Sequence, residues 1–316
     1  MLNRIIKKAE DLVTTHEQTR AGFISIALEK NHIGDPYVKN ARAFKSMVAG
    51  TTKPEDFLTM HSVRPFLLSA SGLSEKSLAY LDEADRTKAI EELIENFLKP
   101  AGSAYIDETI YRYLLTKGDA VGGSMRNRIG ALGQEKLIRY IISCMNVQGI
   151  EYKYLKNEKP LVWRESTPGA TDIEQNLKGL YWKNAKGDRV LGFNLGIPLV
   201  GKNVDICLFD GDVDSYDRGR IVNSPDRVIM LGELKGGIDP AGADEHWKTA
   251  NSALERIRTS FGGQGLNIAV SFVGAAIEKA MAKEIYDQLK DDTLANAANL
   301  NCDDQMIEYC NWMLDI

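Results

Sequence analysis

Three ionisable residues stand on two apolar, strand-like stretches: Asp205 within Asn203–Phe209, and Glu233 and Lys235 within Val228–Lys235. In the first stretch Val204, Ile206 and Leu208 alternate onto one face and Asp205 onto the other. In the second, Ile229, Leu231, Glu233 and Lys235 share a face, with Glu233 and Lys235 about 7 Å apart along the strand. If the two strands pair, Asp205 can sit opposite Glu233. A lone aspartate among apolar residues is costly to bury unpaired. Two neighbouring carboxylates repel unless a cation lies between them. Magnesium suits such a pair, because it takes one or two carboxylates, a carbonyl, waters and phosphate oxygens. The backbone carbonyl of Leu234 is a further candidate ligand. A metal held there would lower the pKa of bound water and neutralise charge on a phosphorus centre under attack. Lys235 would orient or deprotonate that water, or stabilise the developing charge. The chemistry implied is hydrolysis of a phosphodiester. The competing reading is a strand-edge salt bridge between Glu233 and Lys235, with no catalysis.

The elements that must position these residues follow from periodicity. Segments 3–31, 37–49, 54–60, 63–70, 74–82 and 84–98 carry apolar residues at three- and four-residue spacing and predict helices. Ser74 and Asp85 read as helix starts. Pro100-Ala-Gly breaks the chain. A helix over 104–116, a loop at Lys117–Gly123 and a long helix over 124–147, capped by Ser124, are predicted next. The pattern then changes. Residues 151–155, 189–200, 203–209, 227–235 and 268–276 are short, β-rich and separated by turn residues. Helices are predicted over 242–260 and 278–289. The fold class expected is α/β (α+β), a mixed central sheet flanked by helices with an N-terminal helical region. The division expected is 1–117, mainly helical, and 118–316, the core that carries the carboxylates.

Composition sets outer limits. The chain has 316 residues, 44% hydrophobic and 26% charged, enough for one large domain or two smaller ones. No apolar run reaches a membrane span, which excludes a helical membrane protein. The N-terminal MLNRIIKKAEDLV lacks the apolar core of a secretion signal. Cys144, Cys207, Cys302 and Cys310 form no CxxC pair, so reduced thiols in the cytoplasm are expected rather than a zinc site. The net charge of −5 is unevenly spread. Residues 278–316 hold nine acids against three lysines, whereas 111–140 hold six bases against two acids. A local basic patch matters more for phosphate binding than the total does. The competing reading of that patch is a solvated helix face.

The arrangement Asp205-x27-Glu233-x-Lys235 resembles the signature of the PD-(D/E)xK nucleases, with Val204 where that signature often has proline. The wording around it is more specific. "KNVDICLF" (202–209), "LGELKGGIDPAGADEHWKTAN" (231–251) and "GGSMRNRIGAL" (122–132) resemble the AvaI/BsoBI family of type II restriction endonucleases, as do "RAGFISIALEKN" (20–31), "LIENFLKPAG" (93–102) and "GAAIEKAMAKEIYDQL" (274–289). The resemblance spans nearly the whole chain. It implies a restriction-endonuclease-like PD-(D/E)xK core, with the helical region serving to embrace DNA or to dimerise. It implies a homodimer around double-stranded DNA that cuts a palindromic hexamer, CYCGRG, with Mg2+ and leaves 5′-phosphate and 3′-hydroxyl ends. A cognate DNA methyltransferase would belong to the same restriction-modification system on a separate chain.

Carried over by motif, Asp205, Glu233 and Lys235 match the catalytic triplet, with Asp205, Glu233 and the Leu234 carbonyl holding metal. His246 matches a histidine placed at the active site and implicated in activating water. Read unaided, it is equally a surface or packing residue at a helix start. The loop Gly236–Gly242 brings backbone close to DNA, and Asp239 within it could accept from cytosine N4 or form a turn before Pro240. Lys202 precedes the Asp205 strand, near the scissile phosphate or a base edge. Lys76 matches a segment associated with the degenerate purine, where a donor to N7 accepts A or G alike. Arg126 and Arg128 are candidates for phosphate contact or dimer support, or are plain helix-surface cations. The rival functions are a structure-specific PD-(D/E)xK repair or recombination nuclease, a non-catalytic sequence-specific DNA-binding protein, and an acidic helical interaction protein.

Overall fold

A computed structural model describes residues 4–167 and 170–316 of the chain. It divides into two compact units, one of Ile24–Arg128 and one that joins the first 23 residues to Ile129–Ile316. The predicted boundary at 117/118 therefore differs from the observed division. The N-terminal segment belongs with the sheet because Leu12 is buried and its carbonyl accepts from Asn299 Nδ2, while Thr14 Oγ1 donates to the Ala275 carbonyl.

The Ile24–Arg128 unit is helical. It takes most of α1 (His16–Met47), then α2 (Arg64–Ala70), α3 (Glu75–Leu78), α4 (Glu83–Leu93) and the first part of α5 (Tyr105–Gln148). Its core gathers Phe44, Val48, Phe57, Leu67, Ile90, Ile94 and Leu98. Phe66 stacks between Phe44 and Tyr113, with ring centroids at 4.0 and 3.8 Å. Ser74 caps α3 as predicted, accepting from Ser77 N–H. Asp85 is not the start of α4: Asp82 is its cap and Asp85 the third helical residue.

Two further helix predictions are corrected. The predicted 3–31 and 37–49 segments are a short 3-10 turn at Ala9–Leu12 followed by the single helix α1, which passes through Pro36; residue 3 lies outside the described residues. Proline removes one helical donor, but the buried Ala41 and Phe44 hold the next turns in place. The predicted loop at Lys117–Gly123 does not exist either: α5 is continuous, and Ser124 bonds back to the Val121 carbonyl instead of capping. Glycine costs about 1 kcal/mol in a helix but keeps its N–H. The buried Val121 and Met125 anchor the glycine-rich turn.

The second unit is built on one eight-stranded sheet among the described residues, ordered β2-β1-β3-β4-β5-β6-β7-β8. The strands are β1 (Tyr152–Lys156), β2 (Trp163–Glu165), β3 (Leu177–Asn184), β4 (Gly187–Ile197), β5 (Lys202–Asp210), β6 (Val228–Lys235), β7 (Ala269–Gly274) and β8 (Asn296–Asn299). Pairing is antiparallel up to β6 and parallel for β6–β7 and β7–β8. The expected mixed sheet flanked by helices is the fold observed. The short α6 (Val213–Asp217) follows β5, α7 (Ala243–Gly262) and α8 (Lys279–Lys290) are the crossovers, and α9 (Asp303–Asp315) closes the chain. In α7, Trp247, Ala250, Leu254, Ile257 and Phe261 recur at helical spacing and are buried. They share a core with Cys207, Phe209 and Leu231, which lie on the same sheet face as Asp205 and Glu233. The two carboxylates thus stand at the rim of that core.

Candidate active site

The last paired residues of β5 and β6 here are Ile206 and Gly232. The same register carried one residue further sets Asp205 across from Glu233. The ladder is replaced there by a side chain, since Asp205 Oδ2 accepts the Leu234 N–H at 2.9 Å. The Lys235 carbonyl accepts from Ala275 N–H on the β7 side. One residue back, the Leu234 N–H and carbonyl both turn to the opposite edge, the edge where Asp205 stands.

Lys235 Nζ lies 2.8 Å from Glu233 Oε2 and 3.5 Å from Asp205 Oδ2. Glu233 is 5% exposed. Burial first, and the charge of Asp205 second, push its carboxyl above the usual carboxylate range, against the opposing pull of Lys235. For Lys235, burial works against the charge. Glu233 and Asp205 together outweigh it, and the ammonium is held above the ordinary lysine value. A strand-edge ion pair is therefore present, but it does not relieve Glu233: two carboxylates remain set against each other with one amine between them.

The two carboxylates open on a cleft of about 770 Å³ lined by Lys202, Asn203, Asp205, Glu233 and one face of α7: Thr249, Ser252, Ala253 and Arg256. The hydroxyls of Thr249 and Ser252 donate to the Glu245 and Lys248 carbonyls. The cleft unites Asp205, Glu233 and Lys202 of the predicted residues. His246 is exposed on the first turn of α7, one turn before Thr249 on the same face. It makes no hydrogen bond or ion pair among the described residues, and a Cβ on Gly242 would lie 3.3 Å from its Nε2.

The loop after Lys235 is seated by close approaches. A Cβ on Gly133 of α5 would lie 2.6 Å from Gly236 Cα, and one on Gly22 of α1 would lie 2.4 Å from Ile238 Cγ1. Asp239 forms the turn: its Oδ1 accepts from Ala241 N–H at 3.0 Å, leaving Oδ2 to solvent. In the helical unit, Lys76 is exposed on α3 and Arg126 is exposed on α5. Arg128 is paired with Glu29 at 2.6 Å, which gives it a structural task.

Sequence reasoning missed Thr249, Ser252 and Arg256. The signal that could have found them is the face of the predicted helix that its apolar stripe leaves open.

The site has two carboxylates and one directed carbonyl, and among the described residues no three His, Cys, Asp or Glu side chains converge. That oxygen-only set suits a hard divalent cation that keeps part of its water shell. Burial first and the neighbouring Asp205 charge second raise the Glu233 carboxyl, and a cation between the two groups would offset both.

The family model described as restriction endonuclease BsobI matches residues 2–316. The type II restriction enzyme AvaI of Nostoc sp. is 49% identical over 312 residues, 98% of each chain. The type II restriction enzyme AvaI of Anabaena variabilis matches to the same extent. The type II restriction enzyme BsoBI of Geobacillus stearothermophilus is 47% identical over 313 residues, covering 98% of this chain and 97% of the relative.

Proposed function

Because the chain belongs to the BsoBI restriction endonuclease family and is thus a type II restriction endonuclease, we propose that it hydrolyses both strands of duplex DNA at CYCGRG, with magnesium. The observation that carries this reading is the end of the β5–β6 ladder, where Asp205 faces Glu233 and the Lys235 ammonium reaches both.

Asp205, Glu233 and the Leu234 carbonyl would hold the ion. The chemistry supplied by bound magnesium is polarisation of a phosphoryl oxygen and neutralisation of charge at phosphorus. Lys235, held protonated by its two carboxylates, is a donor rather than a base. It orients the attacking water through a lone pair and offsets negative charge as the phosphorane forms. His246 carries an unengaged imidazole on the cleft-facing side of α7 and is the candidate to take the proton from that water. Water attacks phosphorus in line with the P–O3′ bond; that bond breaks, O3′ leaves and takes up a proton, so the phosphate stays on the 5′ end and a hydroxyl is left on the 3′ end. A palindromic target calls for a two-fold homodimer with one such site per strand. Lys202, on the wall of the cleft, and Asp239, in the loop after β6, are assigned to base edges or phosphates of the cut strand, and Lys76 and Arg126 to outlying DNA contacts, while Arg128, paired with Glu29, supports α5 against α1. The enzyme acts on cytoplasmic DNA, whose own sites a methyltransferase on a separate chain would protect.

The test is digestion of a plasmid of known sequence with magnesium or with EDTA, followed by sequencing of the ends. Discrete magnesium-dependent ends, all within CYCGRG, are expected. Discrete ends at a different repeated site would overturn the specificity while keeping the chemistry. Scattered nicks would favour a structure-specific nuclease, and specific binding without cutting a non-catalytic DNA-binding protein.

A further inference from the structure

We propose that Arg256 grips a backbone phosphate of the strand being cut, next to the phosphodiester seated at Asp205 and Glu233. This rests on the nuclease reading above and adds a residue to it. Arg256 lines the same cleft as the two carboxylates, is exposed, and has no ion-pair or hydrogen-bond partner among the described residues. Its freedom is specific to its place on α7. Lys248 is paired with Asp244 four residues back, and Arg258 with Glu255 three residues back. Around Arg256, the positions three and four residues away are Ser252, Ala253, Thr259 and Ser260, so the helix offers it no carboxylate.

The rest of the cleft explains what an unpaired guanidinium would do there. The Lys235 ammonium is already engaged by Glu233 and Asp205. The hydrogens of Thr249 and Ser252 are committed to backbone carbonyls, so those side chains offer the cleft only lone pairs. A phosphate entering beside two carboxylates needs donors, and Arg256, with Lys202 across the cleft, supplies them. Arginine is suited to this, since its planar fork meets two phosphate oxygens at once. The buried stripe of Trp247, Ala250, Leu254 and Ile257 fixes the rotation of α7, so the same packing that holds the helix on the sheet aims Arg256 into the cleft.

The experiment measures binding of a duplex with one CYCGRG site across a salt series, with calcium in place of magnesium, for wild type, Arg256→Gln, Arg256→Lys and the distant control Lys283→Ala. Losing one phosphate contact lowers the slope of log affinity against log salt by about 0.9 and weakens binding roughly tenfold at moderate salt. That result is expected for Arg256→Gln, equally on a duplex without the site. Arg256→Lys should keep most of the slope, and Lys283→Ala should match wild type. In magnesium, Arg256→Gln should need more DNA for half-maximal cleavage while its saturating single-turnover rate stays within a few-fold. A wild-type slope in Arg256→Gln, or a loss no larger than in Lys283→Ala, would overturn the proposal. Absence of cleavage by wild type would instead overturn the nuclease reading.

Discussion

Gly133 gives the sharpest test of how the loop after Lys235 is positioned. A methyl group there would lie 2.6 Å from Gly236 Cα. Carbon atoms in good contact sit about 3.5–4.0 Å apart, so a Gly133→Ala variant must open roughly 1 Å between a helix and a loop. Both sides of that contact are backbone, and no flexible side-chain tip can give way. Overpacking of this kind costs about 1–3 kcal/mol, while replacing an interior helical glycine by alanine returns about 1 kcal/mol. The net loss is at most ~2 kcal/mol, a melting shift of a few degrees. Activity should suffer more, because the loop begins one residue after Lys235, and a 1 Å misplacement of a reacting group can cost about 10²-fold. The assay is single-turnover cleavage beside a thermal melt. Gly130→Ala, on the same helix with nothing within 4 Å of its added carbon, is the control and should gain about 1 kcal/mol with unchanged cleavage. Cleavage by Gly133→Ala at the wild-type rate would show that this contact does not set the loop.

The charge pattern of the site yields further outcomes. Glu233 has a raised carboxyl, so the stability of its protonated form is fully present below the unfolded-state pKa and is lost as pH rises through the folded value. At pH 7.5, metal-free Glu233→Gln should therefore melt no lower than wild type, measured by calorimetry in EDTA. Magnesium at ten times its Kd should stabilise wild type by about 1.4 kcal/mol, a gain that Asp205→Asn abolishes. Trp247 is buried edge-on to Phe272 and donates to Glu284 at 2.6 Å. Trp247→Phe should cost about 1.5–3 kcal/mol in chemical denaturation through loss of that charge-assisted bond.

The parts of the fold that sequence made legible are those where one strong period operates. Strands β1, β4, β5, β6 and β7 are short stretches marked by Val, Ile, Leu, Phe or Tyr, and α7 and α8 carry clean apolar stripes. Alternation placed Asp205 and Glu233 each on a definite strand face, but the register that sets them opposite one another comes from the β5–β6 pairing. Strand β8 is Asn-Ala-Ala-Asn, with no β-forming residue, and exists because it lies beside β7 and is buried there. Strand β3 hid behind its lysines and glycine, and the 13-residue α9 behind an acidic segment read only for its charge. The glycines of α5 looked like a loop because local propensity is weak beside the packing of Val121 and Met125. Arg256 was illegible for a different reason. An exposed arginine on an amphipathic helix resembles any solvated cation until the helix is rotated onto its sheet and the neighbouring carboxylates are counted.

If the carboxylate pair performs chemistry and is more than a strand-edge salt bridge, removing one carboxylate must stop cleavage without stopping binding. The most direct measurement compares Glu233→Gln with wild type on one duplex, recording equilibrium binding and magnesium-dependent single-turnover cleavage together. Binding should be retained within a few-fold and cleavage lost. A Glu233→Gln enzyme that binds normally and still cuts at a rate near wild type would contradict a chemical role for the pair.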